Sequence, residues 1–402
     1  MAKTPIVIAG LDKVFIDEKV LPAIASASTG QNTTAVHSTF TVREAGTISR
    51  LWSYCSDNGT GVDTTFTLYK NGSSTALTHN STALGYFEDA SNSVAVSAGD
   101  TIYIDVLYSS SPRDRKFSSI GFMFDATNSS DSVGMYAAYD ADGFNHGTAS
   151  ASRFYKIGAS LGNQTTENEA AKQRWDINAT WSDLTQYVVS NARTTTSTMV
   201  SRINGVDGAQ TVNYTSGQTG IKTTASSESV SAGDDINWSW TNSTGTGNIM
   251  TSYVQSTMVN TNRETQLVAG FVATRTASAT VHYLCPVGGY IASEIDENSA
   301  RAYLNLAGTL TKLYIGVSSN AYTSTATLTL RKNGVDTGLT VPITTLATGF
   351  IQDTTHSVTV VDGDYITLSL VGGTANTMTF GSVGMVFQTD SVGGARRIFN
   401  IS

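Results

Sequence analysis

Two short motifs recur three times along the chain, in the same order and at nearly the same spacing. Each pair begins with Asn-Gly after a strand-like run and continues with Gly-Asp, as in TLRKNGV followed by VDGDYITL. The two glycines of a pair are 27, 28 and 29 residues apart. The residues are Asn71, Gly72, Gly99 and Asp100, then Asn204, Gly205, Gly233 and Asp234, then Asn333, Gly334, Gly363 and Asp364. Two anchors repeated in a fixed order indicate that one segment was duplicated twice.

The repeat is about 130 residues long, far above the period of a solenoid, so each copy should be a domain with its own core. We predict an N-terminal arm at 1–23, repeats at 24–131, 132–262 and 263–390, and a C-terminal tail at 391–402. A third anchor, SSIGFMFD or GSVGMVFQ, closes the first and last repeats. The middle repeat has TSYVQSTMV there, without glycine, so we expect its closing strand or the neighbours of that strand to differ.

Within a repeat, the pattern is that of short antiparallel strands. In TATLTLRKNG, polar and apolar residues alternate, which places Leu328 and Leu330 on one face of a strand. Asn-Gly tolerates the positive φ angles of a type I′ hairpin turn, and Gly-Asp interrupts a second strand pair. Short helical turns are predicted at 167–175 and 296–304. The fold class is therefore all-β, with three tandem antiparallel β-sandwich domains.

A repeat that runs TLxKNGxxT, SVxVxxGDxIxL and then a closing GxxF strand resembles the jelly-roll domain of the tumour-necrosis-factor and complement-head type. It is similar in particular to versions found in structural proteins of tailed bacteriophages. The similarity covers about 55 residues of each repeat and is least complete in the middle one. The resemblance implies trimeric association and a role as a capsid decoration, a fibre head or a host-binding knob.

Motifs for catalysis are missing from the sequence: there is no G-x-S-x-G, H-E-x-x-H, P-loop or dinucleotide-binding glycine motif. Asp100, Asp234 and Asp364 follow glycine in turns, where aspartate caps backbone amides, so we interpret them as structural. Asp140 and Asp142 begin a calcium-type loop, but the later ligands do not follow at the required spacing. An ordinary turn is the preferred interpretation, and no metal or cofactor is predicted.

Trp238 and Trp240 alternate along INWSW and share one face of a strand. That face is expected to be the core, although an exposed pair could stack on a glycan. The net charge of −8 argues against nucleic acid or an anionic membrane as partner. No segment has the length of a signal-peptide core or a membrane span, which predicts synthesis in the host cytoplasm without classical secretion.

These observations favour a virion structural protein, in its most specific form a trimeric capsid decoration or cement protein on the outer surface of a phage head. Its expected partners are further copies of itself and other virion proteins, such as the major capsid protein. The alternative is a phage fibre or adhesin that binds host surface glycans; an enzyme with accessory sandwiches would need a catalytic domain for which the repeats leave no room. The apolar residues beside Arg396 and Arg397 suggest that one or both ends of the chain dock on another subunit.

Overall fold

The chain folds almost entirely into β-strands, which confirms the predicted fold class. The structure, a computed structural model, describes residues 3–14, 19–22, 39–59, 61–109, 115–127, 132–147, 152–158, 164–260, 264–288, 295–389 and 399–401. Its strands form antiparallel jelly-roll sandwiches that repeat along the sequence.

The first sandwich contains nine strands in two sheets. The strands of one sheet follow the order β1-β9-β4-β7, and those of the other follow β2-β8-β5-β6, with β3 also paired to β8. Their bounds are β1 Lys3–Val14, β2 Lys19–Pro22, β3 Phe40–Thr41, β4 Gly46–Asn58, β5 Thr64–Lys70, β6 Ser73–Ser81, β7 Gly85–Val96, β8 Thr101–Tyr108 and β9 Arg115–Ala126. The range predicted as an arm, 1–23, therefore contains two strands that extend both sheets.

The second sandwich repeats this arrangement. One sheet has the order β10-β19-β13-β16, with β17 also on β13, and the other has β11-β18-β14-β15, with β12 also on β18. The bounds are β10 Ser132–Asn145, β11 Ser152–Tyr155, β12 Gln173–Trp175, β13 Ala179–Asn191, β14 Ser197–Ile203, β15 Val206–Tyr214, β16 Gly220–Thr223, β17 Ser227–Val230, β18 Asp234–Asn242 and β19 Ile249–Asn260.

The third sandwich differs because two of its strands are long enough to run through both sheets. Its strands are β20 Glu264–Leu284, β21 Ala302–Tyr303, β22 Gly308–Asn320, β23 Ala326–Lys332, β24 Val335–Ile343, β25 Gly349–Val360 and β26 Tyr365–Thr389. The predicted helical turn at 296–304 is a single 3₁₀ turn, Glu297–Ala300, capped by the Asp296 side chain. The helical turn predicted at 167–175 does not form: residues 168–171 make a bend and a turn, and Gln173–Trp175 is strand β12.

Each sandwich has its own apolar core, and the cores contain the side chains expected from strand alternation. Leu328 and Leu330 are fully buried, as are Phe66 and Leu68 at the equivalent positions of the first repeat. Each core also takes in side chains from one other repeat. The first core includes Ala137 and Tyr253 from repeat 2, the second includes Val268 and Val386 from repeat 3, and the third includes Trp52 and Met123 from repeat 1.

The direction of these contacts closes a ring. Repeat 1 receives from repeat 2, repeat 2 from repeat 3, and repeat 3 from repeat 1, so all three contacts are head-to-tail. A head-to-tail contact that closes after three steps is the arrangement of a cyclic trimer. Here one chain supplies all three members.

The last strand, β27 Phe399–Ile401, lies between two repeats of the same chain. It pairs in parallel with β1 and with β10, and so joins the β1 and β10 sheets of repeats 1 and 2. The sequence predicts that one or both ends dock on another subunit. Its described part pairs within its own chain, and residues 390–398, including Arg396 and Arg397, lie outside the described residues.

Candidate interaction sites: repeated turns and repeat seams

In all three repeats the Asn-Gly hairpin is bonded to the Gly-Asp turn. In repeat 3 the side-chain amide of Asn333 donates from Nδ2 to Asp364 Oδ1 at 2.6 Å. The Asn333 side-chain oxygen accepts from the backbone N–H of Tyr365 at 3.1 Å. Asp364 Oδ2 accepts from the Val361 amide at 2.8 Å. The equivalent Asn–Asp distances are 2.7 Å for Asn71–Asp100 and for Asn204–Asp234. The sequence predicted the turns, but not that they contact each other.

Hydrogen bonds favour the ionised form of Asp100 and of Asp364. Hydrogen bonds from the Ser97 amide, the Asn71 side chain and Lys70 lower the pKa of Asp100 to about 2. At Asp364, burial opposes ionisation, but several hydrogen bonds still lower its pKa. A carboxylate that caps amides in this way stabilises a turn and is a poor proton shuttle at neutral pH.

The Asn333 side chain can be tested separately from its backbone conformation. Asn333 and Gly334 have φ angles of 51° and 79°, so glycine fits at position 333 without strain. We expect Asn333→Gly to lower the free energy of unfolding by about 2 kcal/mol, because one hydrogen bond to a carboxylate and one to an amide are lost. Urea unfolding followed by circular dichroism measures the change.

Asn376→Gly is the matched control for this substitution. Asn376 also has a positive φ of 64°, but its side chain makes one exposed hydrogen bond, to Ala321 O. Its loss should lower the unfolding free energy by less than about 1 kcal/mol. Equal effects of the two substitutions would contradict a stabilising role for the Asn–Asp contact.

The contact between repeats 3 and 1, here called seam 3–1, is aromatic and charged. The Tyr303 ring lies 5.3 Å from that of Tyr54 and 4.9 Å from that of Tyr86. Asn305 donates to the Tyr86 hydroxyl at 2.6 Å. Arg50 forms an ion pair with Asp362 at 2.9 Å and donates to Asn305 O at 3.4 Å. These contacts join polar groups of repeat 1 to polar groups of repeat 3.

Seam 1–2 is closed by neutral polar groups and one arginine. Arg43 of repeat 1 donates to the hydroxyls of Thr185 and Thr223 at 2.7 and 2.8 Å. Gln255 donates to Thr41 O at 3.1 Å, and nearby aromatic rings from the two repeats are also in contact.

Seam 2–3 repeats one contact of seam 3–1. Lys312 Nζ donates to Asp176 O at 2.9 Å, as Arg50 does to Asn305 O. Arg50 and Lys312 occupy the same bulge of β4 and β22, with φ angles of 52° and 56°. The preserved contact shows that seams 2–3 and 3–1 have the same arrangement at this position.

Contacts at the seams explain why the third anchor of the middle repeat lacks a glycine. Trp52 pairs in register with Gly121, and Tyr314 with Gly384, so a large ring lies opposite a glycine in repeats 1 and 3. In repeat 2 the equivalent pair is Thr185 and Gln255. Because the threonine is small, no glycine is needed, and both side chains bond to repeat 1 across seam 1–2.

The tryptophans considered for glycan stacking are core residues. Trp238 and Trp240 are 0% exposed, and the Trp240 indole donates to Asn242 at 2.9 Å. A sugar needs an accessible ring face, so the stacking interpretation is wrong for this conformation. The backbone of Asp140 and Asp142 lies within strand β10, so the turn predicted there is wrong. Their side chains lie outside the described residues, and the part of the chain that the structure describes contains no group of three or more potential metal ligands.

One serine–histidine pair occurs inside repeat 1. Ser53 Oγ lies 2.9 Å from His79 Nε2, and Asp89 is nearby. All three side chains are less than 10% exposed, and Asp89 caps the amides of Thr78 and Ser91 instead of orienting the imidazole. Burial lowers the pKa of His79 to about 4. A substrate has no access to this pair, so it is part of the core.

Comparison with known proteins adds little to this description. No protein-family model and no curated protein matches the chain. A structure described as the triple jelly roll fold and turret assembly of an archaeal virus covers 98% of this chain and 92% of its own, at 13% identity and a TM-score of 0.19. The insecticidal delta-endotoxin Cry8Ea1 from Bacillus thuringiensis covers 64% of this chain and 53% of its own, at 9% identity and a TM-score of 0.16. Both scores are too low to carry an argument. Among the described residues, no helix is long and apolar enough to cross a bilayer.

Proposed function

We propose that this chain is a structural protein of a virus particle, a decoration or cement protein on the outer surface of a phage head. The observation that carries the proposal is the closed ring of three sandwiches. It offers shape and contact surface, and its repeated carboxylates serve as turn caps. The proposed role is therefore binding and reinforcement without catalysis.

A ring of three similar lobes matches a place where three shell subunits meet. Each lobe can contact one subunit of the major capsid protein, and three weak contacts made by one rigid body add to a strong one through effective concentration. We expected a homotrimer from the sequence. Because one chain already supplies three lobes, we propose that one chain does the work of a trimer.

Mass and copy number test this proposal together. We expect the purified chain to have the mass of one 42.4 kDa polypeptide in solution by light scattering. We expect quantitative mass spectrometry of purified particles to find the protein in hundreds of copies, in a fixed ratio of one chain to three capsid subunits at the decorated positions.

Two outcomes would contradict specific parts of the proposal. A stable trimer in solution would contradict the proposal that one chain does the work of a trimer. A handful of copies per particle would contradict decoration and favour the fibre alternative. Absence from purified particles would refute a virion role altogether.

A further inference from the structure

The chain contains a fourth Asn-Gly pair, Asn58-Gly59, which lies outside the repeated motif. Asn58 is the last residue of β4 and is partly exposed, and Gly59 is exposed in the turn that follows. Asn-Gly is the pair most prone to deamidation, because glycine has no β-carbon to hinder attack of its backbone nitrogen on the asparagine side chain. All four pairs share this chemistry, so the structure around each pair decides its rate.

Deamidation needs only the chain and water. The backbone nitrogen of Gly59 would give its proton to hydroxide and form a bond to Cγ of Asn58. The bond from Cγ to Nδ2 then breaks as Nδ2 takes a proton from water, which restores the hydroxide, and leaves as ammonia. Water opens the resulting succinimide ring to aspartate or isoaspartate. The net change consumes a water molecule, releases ammonia and adds a negative charge to the chain.

Hydrogen bonds oppose this reaction at the three repeated asparagines. In each repeat the asparagine Nδ2 donates to the aspartate of the Gly-Asp turn, and Oδ1 accepts from the backbone N–H of the residue after that aspartate. Nδ2 is the leaving group, so its bond to the aspartate must be lost. Oδ1 must also move as Cγ joins the ring. Both hydrogen bonds therefore stabilise the unreacted side chain.

Asn58 has different surroundings. Its Oδ1 accepts no hydrogen bond from the described residues. The residue directly opposite it in the sheet is Arg115, whose side chain is fully buried. Opposed side chains of an antiparallel pair have β-carbons about 5 Å apart, so a guanidinium group lies close to Asn58. The preceding residue, Asp57, lies 3.8 Å from Lys116. A nearby positive charge favours the attack, because the attacking nitrogen is anionic.

We propose that Asn58 is a site of spontaneous deamidation, and that the Asn–Asp contacts of the three repeats protect Asn71, Asn204 and Asn333 from the same reaction. The repeated contact then has a chemical role in addition to its structural one. The proposal does not depend on where the protein sits in a particle.

Peptide mapping of the folded full chain, incubated in mildly alkaline buffer, tests the proposal. Cleavage by trypsin after Lys70, Arg202 and Lys332 places the four pairs in separate peptides, so mass spectrometry can follow each rate. We expect Asn58 to react about thirtyfold faster than the other three, since each of those must lose two hydrogen bonds. In urea all four should react at similar rates. Asn58→Gln should remove the fast step, because the six-membered ring formed from glutamine closes far more slowly.

Substitutions of Asp364 test the protection directly. Asp364→Ala should raise the rate at Asn333 about tenfold. It should leave Asn58, Asn71 and Asn204 unchanged, whereas unfolding of the variant would accelerate Asn71 and Asn204 as well. Asp364→Asn keeps a hydrogen-bond acceptor and should raise the rate less. Reaction at Asn58 no faster than at the other three, or an unchanged rate at Asn333 in both variants, would overturn the proposal. Neither result would affect the mass and copy-number tests of the proposed function.

Discussion

Trp52→Ala is expected to lower the free energy of unfolding by about 3–5 kcal/mol, the range for removal of a large buried aromatic side chain. Trp52 belongs to repeat 1 by sequence, but its fully buried ring packs with the core of repeat 3. The substitution should therefore loosen the ring at seam 3–1 as well as the sandwich that carries it. Urea unfolding measures the decrease in unfolding free energy, and amide hydrogen exchange shows which strands are destabilised.

The exchange pattern separates a seam effect from an ordinary core effect. Trp181→Ala is the matched control, because Trp181 is also fully buried but packs within repeat 2, where its indole donates to Ser256 at 2.7 Å. We expect Trp52→Ala to increase exchange in β22 and β26 of repeat 3, and Trp181→Ala to increase it within repeat 2. If Trp52→Ala increased exchange in repeat 1 alone, the coupling of the repeats through this seam would be wrong.

Gly384→Ala is expected to lower the unfolding free energy by about 2–3 kcal/mol, because the added methyl group has no room. A β-carbon there would lie 2.7 Å from Leu267 O, and closer still to the Tyr314 hydroxyl. Neither neighbour moves easily, since Leu267 O is backbone and Tyr314 is fully buried at seam 2–3. Gly338→Ala is the control: its nearest neighbour would be a His356 side-chain atom at 3.7 Å, so we expect a change within about 0.5 kcal/mol.

The middle repeat suggests a rescue of this substitution. Repeat 2 carries Thr185 and Gln255 where repeat 3 carries Tyr314 and Gly384. Gly384→Gln should therefore be far less harmful in a Tyr314→Thr background than in the native chain, with a coupling energy of about 1–3 kcal/mol in a double-mutant cycle. Additive effects would show that the ring and the glycine are not a matched pair.

The strand pattern predicted the sandwiches because its cause is local. Alternation places Phe66 and Leu68 on the same face of a strand, whatever packs against that face. Asn-Gly can adopt positive φ angles in any surroundings. The bond between Asn333 and Asp364 was not predicted, because it joins two turns whose proximity depends on strand pairing. Trp238 and Trp240 remained open for the related reason that alternation shows a shared face, but not what covers it.

The seam residues were not recognised, and the sequence contains only an indirect signal for them. Tyr303 and Asn305 look like ordinary loop-flanking residues, and their partners Tyr54 and Tyr86 lie more than two hundred positions away. The available signal was the place where the repeats disagree: the glycine present in GSVGMVFQ and absent from TSYVQSTMV marks the strand that faces a neighbouring repeat. At this strand, a sequence difference between the repeats marks a contact between the repeats.

The amino-acid sequence by itself determined that there are three copies of one strand-and-turn unit, since repetition and alternation are properties of neighbouring residues. Only the tertiary structure decided that the copies close on each other as a ring, and which side chains meet at each seam. Closure depends on the orientation of whole sandwiches, which results from the summed packing of side chains far apart in sequence. No local pattern encodes that sum.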